Sequence, residues 1–174
     1  MPLTCSRRVR ALVVAGVLAL SLSGCSPSDL GVTGITVDEN GSAVIVLAVC
    51  RDHIDAGGIL DTGTDGKAYR SAGAWESAQP IGPGLTLLPV AAPPSGWVQK
   101  RPPRPLLPQV KYEAWGSTAD NKGATSGAAF TVEDLEGLSP GTVRYQQYRE
   151  GKDGGAIETD QLIAVADFEK AACG

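Results

Sequence analysis

Thr33-Gly34-Ile35-Thr36-Val37-Asp38-Glu39-Asn40-Gly41-Ser42-Ala43-Val44-Ile45-Val46-Leu47-Ala48-Val49-Cys50 is the stretch that decides the fold. The run from Thr33 to Val37 is rich in β-branched residues, which pack well on a pleated surface. Asp38-Glu39-Asn40-Gly41 follows, and Asn-Gly tolerates the positive φ that a tight turn requires. Ser42 to Cys50 then carries Val44, Ile45, Val46, Leu47 and Val49 almost without interruption. Two such runs around Asn-Gly predict a β-hairpin. The second strand is apolar at consecutive positions, so it sits centrally with both faces covered.

Downstream, the punctuation of the chain repeats this theme. Asp65-Gly66 marks a second turn between Gly58–Thr64 and Lys67–Ser77, with Trp75 as a core anchor. Nine of the twelve prolines lie between Pro80 and Pro108. Proline cannot donate to a ladder, so this stretch admits only short edge strands in otherwise extended backbone. Gln109–Trp115 reads as a strand with Val110, Tyr112 and Ala114 on one face. Residues 116–127, small and polar, read as a loop. Ala128–Val132 is strand-like, and Thr142–Arg149 alternates, with Val143, Tyr145 and Gln147 on one face and Arg144, Gln146 and Tyr148 on the other. A turn is expected at Glu150–Gly155. Gln161–Ala171 suits a strand to about Phe168, although its Ala and Glu also suit a short helix. Short strands separated by turns predict an all-β fold, an antiparallel β-sandwich spanning residues 33–174. Leu138-Ser139-Pro140-Gly141-Thr142, followed by a tyrosine-bearing strand, is similar to the Leu-x-Pro-x-Thr corner of fibronectin type III and related immunoglobulin-like domains. Tyr145 lies three residues after the threonine rather than the family's two, a departure that reverses its face.

The N-terminus carries an address. Arg7, Arg8 and Arg10 precede an uncharged stretch, Ala11–Leu22, which ends in Leu22-Ser23-Gly24-Cys25. Charge, apolar run and small-residue cleavage site in that order read as an export signal, too short to span a bilayer comfortably. The ending resembles the lipobox of bacterial lipoproteins. Ser6-Arg7-Arg8 hints at a twin-arginine signal, but Arg10 stands where that motif expects an apolar residue, so general secretion is the expected route. The resemblance implies a signal helix over 1–24, cleavage before Cys25, lipid on its sulfur, and a short flexible tether over 25–32. It implies a domain held at the extracellular face of the cell membrane, where each buried methylene contributes about 0.8 kcal/mol. The Ala-, Gly- and Val-rich composition also resembles lipoproteins of high-GC Gram-positive bacteria.

Residues 1–24 hold three of the 15 Lys and Arg and none of the 19 Asp and Glu, so the remainder carries 12 against 19, a net −7. That balance argues against nucleic acid and against electrostatic adsorption to anionic lipid. With Cys5 in the signal and Cys25 lipidated, Cys50 and Cys173 remain, and an even pair in an exported domain is most simply a disulfide. Metal ligation and a reactive thiol are the alternatives, and one histidine in the whole chain makes a weak zinc site.

Catalytic signals are sparse. His53, flanked by Asp52 and Asp55, has the ingredients of a base held by a carboxylate, but no Gly-x-Ser-x-Gly elbow accompanies it. Asp61-Thr62-Gly63-Thr64-Asp65-Gly66 echoes a calcium loop, yet Gly63 offers no side-chain ligand and no closing glutamate follows, so it reads as a polar turn. No cofactor is implied. Lys100-Arg101-Pro102-Pro103-Arg104-Pro105 is the one basic cluster in the acidic chain beyond the signal, extended by its prolines and suited to an aromatic groove or an anionic polymer. The expected function is a non-enzymatic binding module, with an envelope protein or cell-wall polymer as partner and Lys100, Arg101 and Arg104 as contacts. A cell-envelope hydrolase or transferase centred on His53 is the alternative.

Overall fold

The computed structural model describes residues 26–63, 70–150 and 155–174. The signal helix, Cys25, the Asp65-Gly66 turn and most of the Glu150–Gly155 turn lie outside the described residues. The strands are β1 Ser28–Val37, β2 Ala43–Val49, β3 Ile54–Asp61, β4 Arg70–Ile81, β5 Gly84–Pro89, β6 Trp97–Arg101, β7 Tyr112–Ser117, β8 Gly123–Ser126, β9 Ala128–Phe130, β10 Thr142–Glu150 and β11 Ala156–Ala164. Two short helices, α1 Val132–Glu136 and α2 Val165–Cys173, complete the set among the described residues. The class is all-β, as expected.

The sheet differs from the expected antiparallel one. Its strands run β11-β10-β1-β8-β7-β3-β4-β6, with β2 and β5 branching from β1 and β9 from β7. β1 and β8 are parallel, so the sheet is mixed. The branching originates in β1. One of its edges pairs with β2 from Gly31↔Val49 to Val37↔Ala43. The other edge pairs first with β8, from Ser28↔Gly123 to Val32↔Ser126, and then with β10 at Ile35↔Arg144. A register shift between Asp29 and Gly31 accompanies the change, as a bulge that redirects a strand would.

The predicted hairpin is β1–β2, but its turn is wider than Asn-Gly alone. Only Gly41 takes a positive φ, +77°. Asp38 organises the turn, its Oδ1 accepting from the backbone N–H of Asn40 (2.8 Å) and Ser42 (2.9 Å). The expected tether is shorter too. Ser28 N–H donates to the Lys122 carbonyl (2.8 Å), and Leu30 is buried where a side chain on Gly123 would otherwise stand.

β2 is buried throughout. Ile45, Leu47 and Val49 face the larger core inside the curl, with Ile35, Ile59, Trp75, Leu88, Tyr112 and Phe130. Val46 and Ala48 face a second core with Val143, Tyr145 and Phe168, which α2 covers. Here the expected strand gives way to helix at Val165, whose N–H donates to the Gly141 carbonyl (2.8 Å) and ends the β10–β11 ladder. Phe168 meets Tyr145 with ring centroids 5.1 Å apart. Gly34 makes the approach possible, because a Cβ there would collide with Val143 and sit 3.2 Å from Phe168 Cζ. Cys50 and Cys173, at the ends of β2 and α2, lie at disulfide distance, Sγ to Sγ 2.06 Å.

The proline-rich stretch yields β5 and β6, each at a sheet edge as its prolines require. β7 starts at Tyr112, later than expected, and β8 replaces part of the expected loop. Thr125 explains that strand. Its Oγ1 bonds Thr33 Oγ1 (2.5 Å) and accepts from Gly116 N–H (3.0 Å), fixing polar residues inside the sheet. No helix of the described residues is long and apolar enough to cross a membrane.

Candidate functional site

Directly paired residues of neighbouring strands point to the same side of a sheet. On the outer side of β7-β3-β4-β6 the pairings Trp115↔Gly58, Gly58↔Ala74 and Ala74↔Arg101 form one row across four strands. Ser117↔Ala56, Ala56↔Glu76 and Glu76↔Val98 form the next. The middle of this surface is therefore floored by Ala56, Gly58 and Ala74. Trp115 stands on one flank and the basic residues of β6 on the other. Three strand spacings separate the flanks, about 14 Å between backbones. The result is a trough of about 250 Å³, lined by Trp115, Ala56, Ala74, Trp75, Glu76, Lys100, Arg101, Ser117, Thr118, Ala119 and Asn121.

Local sequence explains each wall. A register shift in the β4–β6 ladder leaves Lys100 as the extra residue between Gln99 and Arg101, so these two neighbours both line the trough. Lys100 Nζ lies 2.5 Å from Glu76 Oε2, while Arg101 has no ion-pair partner among the described residues. The Trp115 indole lies against Gly58, where a Cβ would come within 2.9 Å of Cζ2. Its Nε1 is enclosed and unpaired. Arg104 falls outside this lining. Its backbone N–H continues the ladder to the Ala72 carbonyl (2.8 Å), and its side chain is exposed. Two of the three expected contacts thus line one trough with an aromatic ring that no sequence pattern pairs with them.

His53 lies elsewhere, just after β2. Its Nδ1 is 2.7 Å from Asp52 Oδ1, and Asp52 holds φ +56°. Asp55 turns away, accepting the backbone N–H of Ala119. Among the described residues no hydroxyl or thiol is hydrogen-bonded to His53. Asp61 Oδ1 accepts from Gly63 N–H (2.8 Å), a local turn contact. No group of three or more His, Cys, Asp or Glu gathers around one point among the described residues.

No family model, curated protein or solved structure matches this chain.

A polar cleft between β10–β11 and β9 was not foreseen in the sequence. Arg144 bridges Asp134 (3.0 Å) and Asp160 (2.7 Å). Gln146 Nε2 donates to Asp160 Oδ1 (2.6 Å) and to the Ala129 carbonyl (3.1 Å), while its Oε1 accepts Ala129 N–H (2.6 Å). The Gln146 amide thus stands in for a backbone ladder between β9 and β10. Burial pushes the nearby Glu113 carboxyl up from its ordinary range, and the charge of Glu158 pushes it further. Burial followed by the same two carboxylates raises the Tyr148 phenol. The only signal in the sequence was the polar face Arg144-Gln146-Tyr148 of an alternating strand. Arg144 and Gln146 share Asp160 and tie β10 to its neighbours, whereas Tyr148 is exposed.

Proposed function

We propose that the protein is a lipid-anchored, extracytoplasmic binding module of a bacterial envelope, and that the trough of β7-β3-β4-β6 takes an anionic, hydroxyl-bearing polymer of that envelope. The row Trp115–Gly58–Ala74–Arg101 carries this reading. A ring on one side, a small-residue floor and a guanidinium opposite, without an ion-pair partner among the described residues, suit a sugar or polyol unit bearing phosphate or carboxylate. Arginine matches such anions with a forked donor set, and aromatic faces stack on the C–H faces of rings. The anchor reading rests on Arg7, Arg8, Arg10 and Leu22-Ser23-Gly24-Cys25, with Ser26 and Pro27 separating Cys25 from β1. The Leu138–Thr142 corner supports immunoglobulin-like kinship, and the parallel β1–β8 pair weighs against it.

Two experiments test the two halves. Replacing Lys100, Arg101 and Arg104 with Ser, or Trp115 with Ala, is expected to reduce retention on purified cell wall at least fivefold. Retention equal to wild type in both variants refutes the trough. Cys25→Ala is expected to abolish incorporation of labelled fatty acid and release the protein from membranes. Continued labelling of that variant refutes the anchor.

A further inference from the structure

A second cavity, of about 490 Å³, opens at the opposite end of β1 from Ser28 and shares no lining residue with the trough. Its floor is apolar, formed by Val37, Ala43, Leu106, Val132, Leu135 and Leu138. Asp38, Glu39 and Glu136 stand around it, and no lysine or arginine is among the lining residues. None of the three carboxylates forms an ion pair among the described residues. The volume falls in the range of pockets that hold small ligands or peptide side chains, roughly 300–1,000 Å³.

Each wall is held independently of any ligand. The β1–β2 turn is fixed by Asp38 through its bonds to Asn40 and Ser42. α1 starts in a capping box, with Thr131 Oγ1 accepting Asp134 N–H (3.2 Å) and Asp134 Oδ2 accepting Thr131 N–H (2.9 Å). The segment bearing Leu106 is tied down next door, where Leu107 N–H donates to the Tyr112 hydroxyl (2.7 Å). A pocket built this way asks little ordering of itself when occupied, so its apolar floor contributes to affinity with little offset.

We propose that this pocket docks a peptide segment that places an apolar side chain on the floor and lysine or arginine against Glu39 and Glu136. The argument is one of charge complementarity. An apolar ligand alone would leave those carboxylates beside desolvated surface without compensation, whereas a cation next to the apolar group pairs with them as the water leaves. An acidic or neutral polar ligand satisfies neither element. The proposal depends on neither the anchor nor the trough.

The test uses the full chain and a fluorescein-labelled, end-blocked peptide Leu-Lys-Val-Lys-Leu, with its Glu-for-Lys counterpart as control. Fluorescence polarisation is expected to give saturable one-to-one binding that weakens with salt, and at least tenfold weaker binding of the control. Glu39 and Glu136 are exposed, so Glu39→Lys with Glu136→Lys leaves the fold intact by circular dichroism and is expected to weaken binding at least tenfold. Methyl chemical-shift changes are expected at Val37, Val132, Leu135 and Leu138. The proposal is overturned if both peptides bind alike, if the charge-reversed variant binds as well as wild type, or if the shifts fall on the trough. It is also overturned if the protein sediments as a dimer and the charge-reversed variant as a monomer, since a second copy would then fill the pocket.

Discussion

Removing the Cys50–Cys173 link is the sharpest test of how this fold is held together. The two residues are 123 apart in sequence, so the bond closes nearly the whole domain into a loop. In the chain-entropy treatment, a loop of that length withholds about 16 cal/mol/K from the denatured state, or about 5 kcal/mol at 25 °C. Cys50 is half-buried and Cys173 exposed, so Cys50→Ala with Cys173→Ala removes little packing and isolates the cross-link. The link also fastens the end of α2, which seats Phe168 against Val46 and Val143. For a domain of this size the expected loss lowers the melting temperature by about 10–20 °C. The measurement is urea unfolding followed by tryptophan emission, since Trp75 is 1% exposed in the native state and its environment changes on unfolding. The denatured chain expands once uncrosslinked, so the slope m should rise while the midpoint falls. Wild-type protein with dithiothreitol should match the double variant. A midpoint and slope both unchanged by either treatment would refute the reasoning.

Further consequences follow from the cleft and the outer core. Glu113 has a raised carboxyl, so the native state holds its proton more tightly than the unfolded chain. Stability from this group is full below the ordinary glutamate range and is lost as pH rises through the raised value. Glu113→Gln should therefore flatten the fall in stability above that range and leave the protein at neutral pH at least as stable as wild type, as read by urea midpoints across pH. Gln146→Ala removes three hydrogen bonds between β10 and its neighbours and should cost about 2–3 kcal/mol, with faster amide exchange at Ala129. Phe168→Ala should cost about 3–5 kcal/mol by leaving a void under β2. A midpoint within experimental error of wild type would refute either assignment.

Where hydrophobic pattern and backbone need coincide, the sequence was readable. Consecutive apolar residues in β2 announced burial on both faces, and Asn40-Gly41 announced the hairpin. The prolines of 80–108 announced edge strands, because edge positions are where a missing N–H does no harm. β8 was invisible for the opposite reason. Gly123-Ala124-Thr125-Ser126 has no apolar signal, and its strand state is imposed by Leu30 and Thr33 of β1, more than 90 residues earlier. The boundary between β11 and α2 was misplaced because Leu162, Ile163, Val165 and Phe168 fit either period. A hydrogen bond from Val165 to Gly141 settles it, and no local pattern encodes that bond. The trough was half legible. Lys100, Arg101 and Arg104 stood out as the one basic cluster beyond the signal, but Trp115 joins the first two only through strand register, and register across two hairpins cannot be read from composition.

The two proposed binding sites lie on different parts of one continuous sheet, which bears on whether they communicate. β1 contributes Val37 to the apolar pocket, and its parallel partner β8 connects it to the sheet that carries the trough. The pocket and the trough have no lining residue in common, and Val37, Ala43 and Leu135 of the pocket and Trp75 of the trough belong to one close-fitted core. A packed core of this kind has no second arrangement to switch into, and coupling between sites needs one. Effects of substitutions in the two sites should therefore add. Trp115→Ala combined with Glu39→Lys and Glu136→Lys is expected to weaken wall retention only as much as Trp115→Ala alone, and peptide binding only as much as the charge reversal alone. An interaction energy above about 0.5 kcal/mol, the usual limit for independent sites, would mean that the curled sheet has a second state.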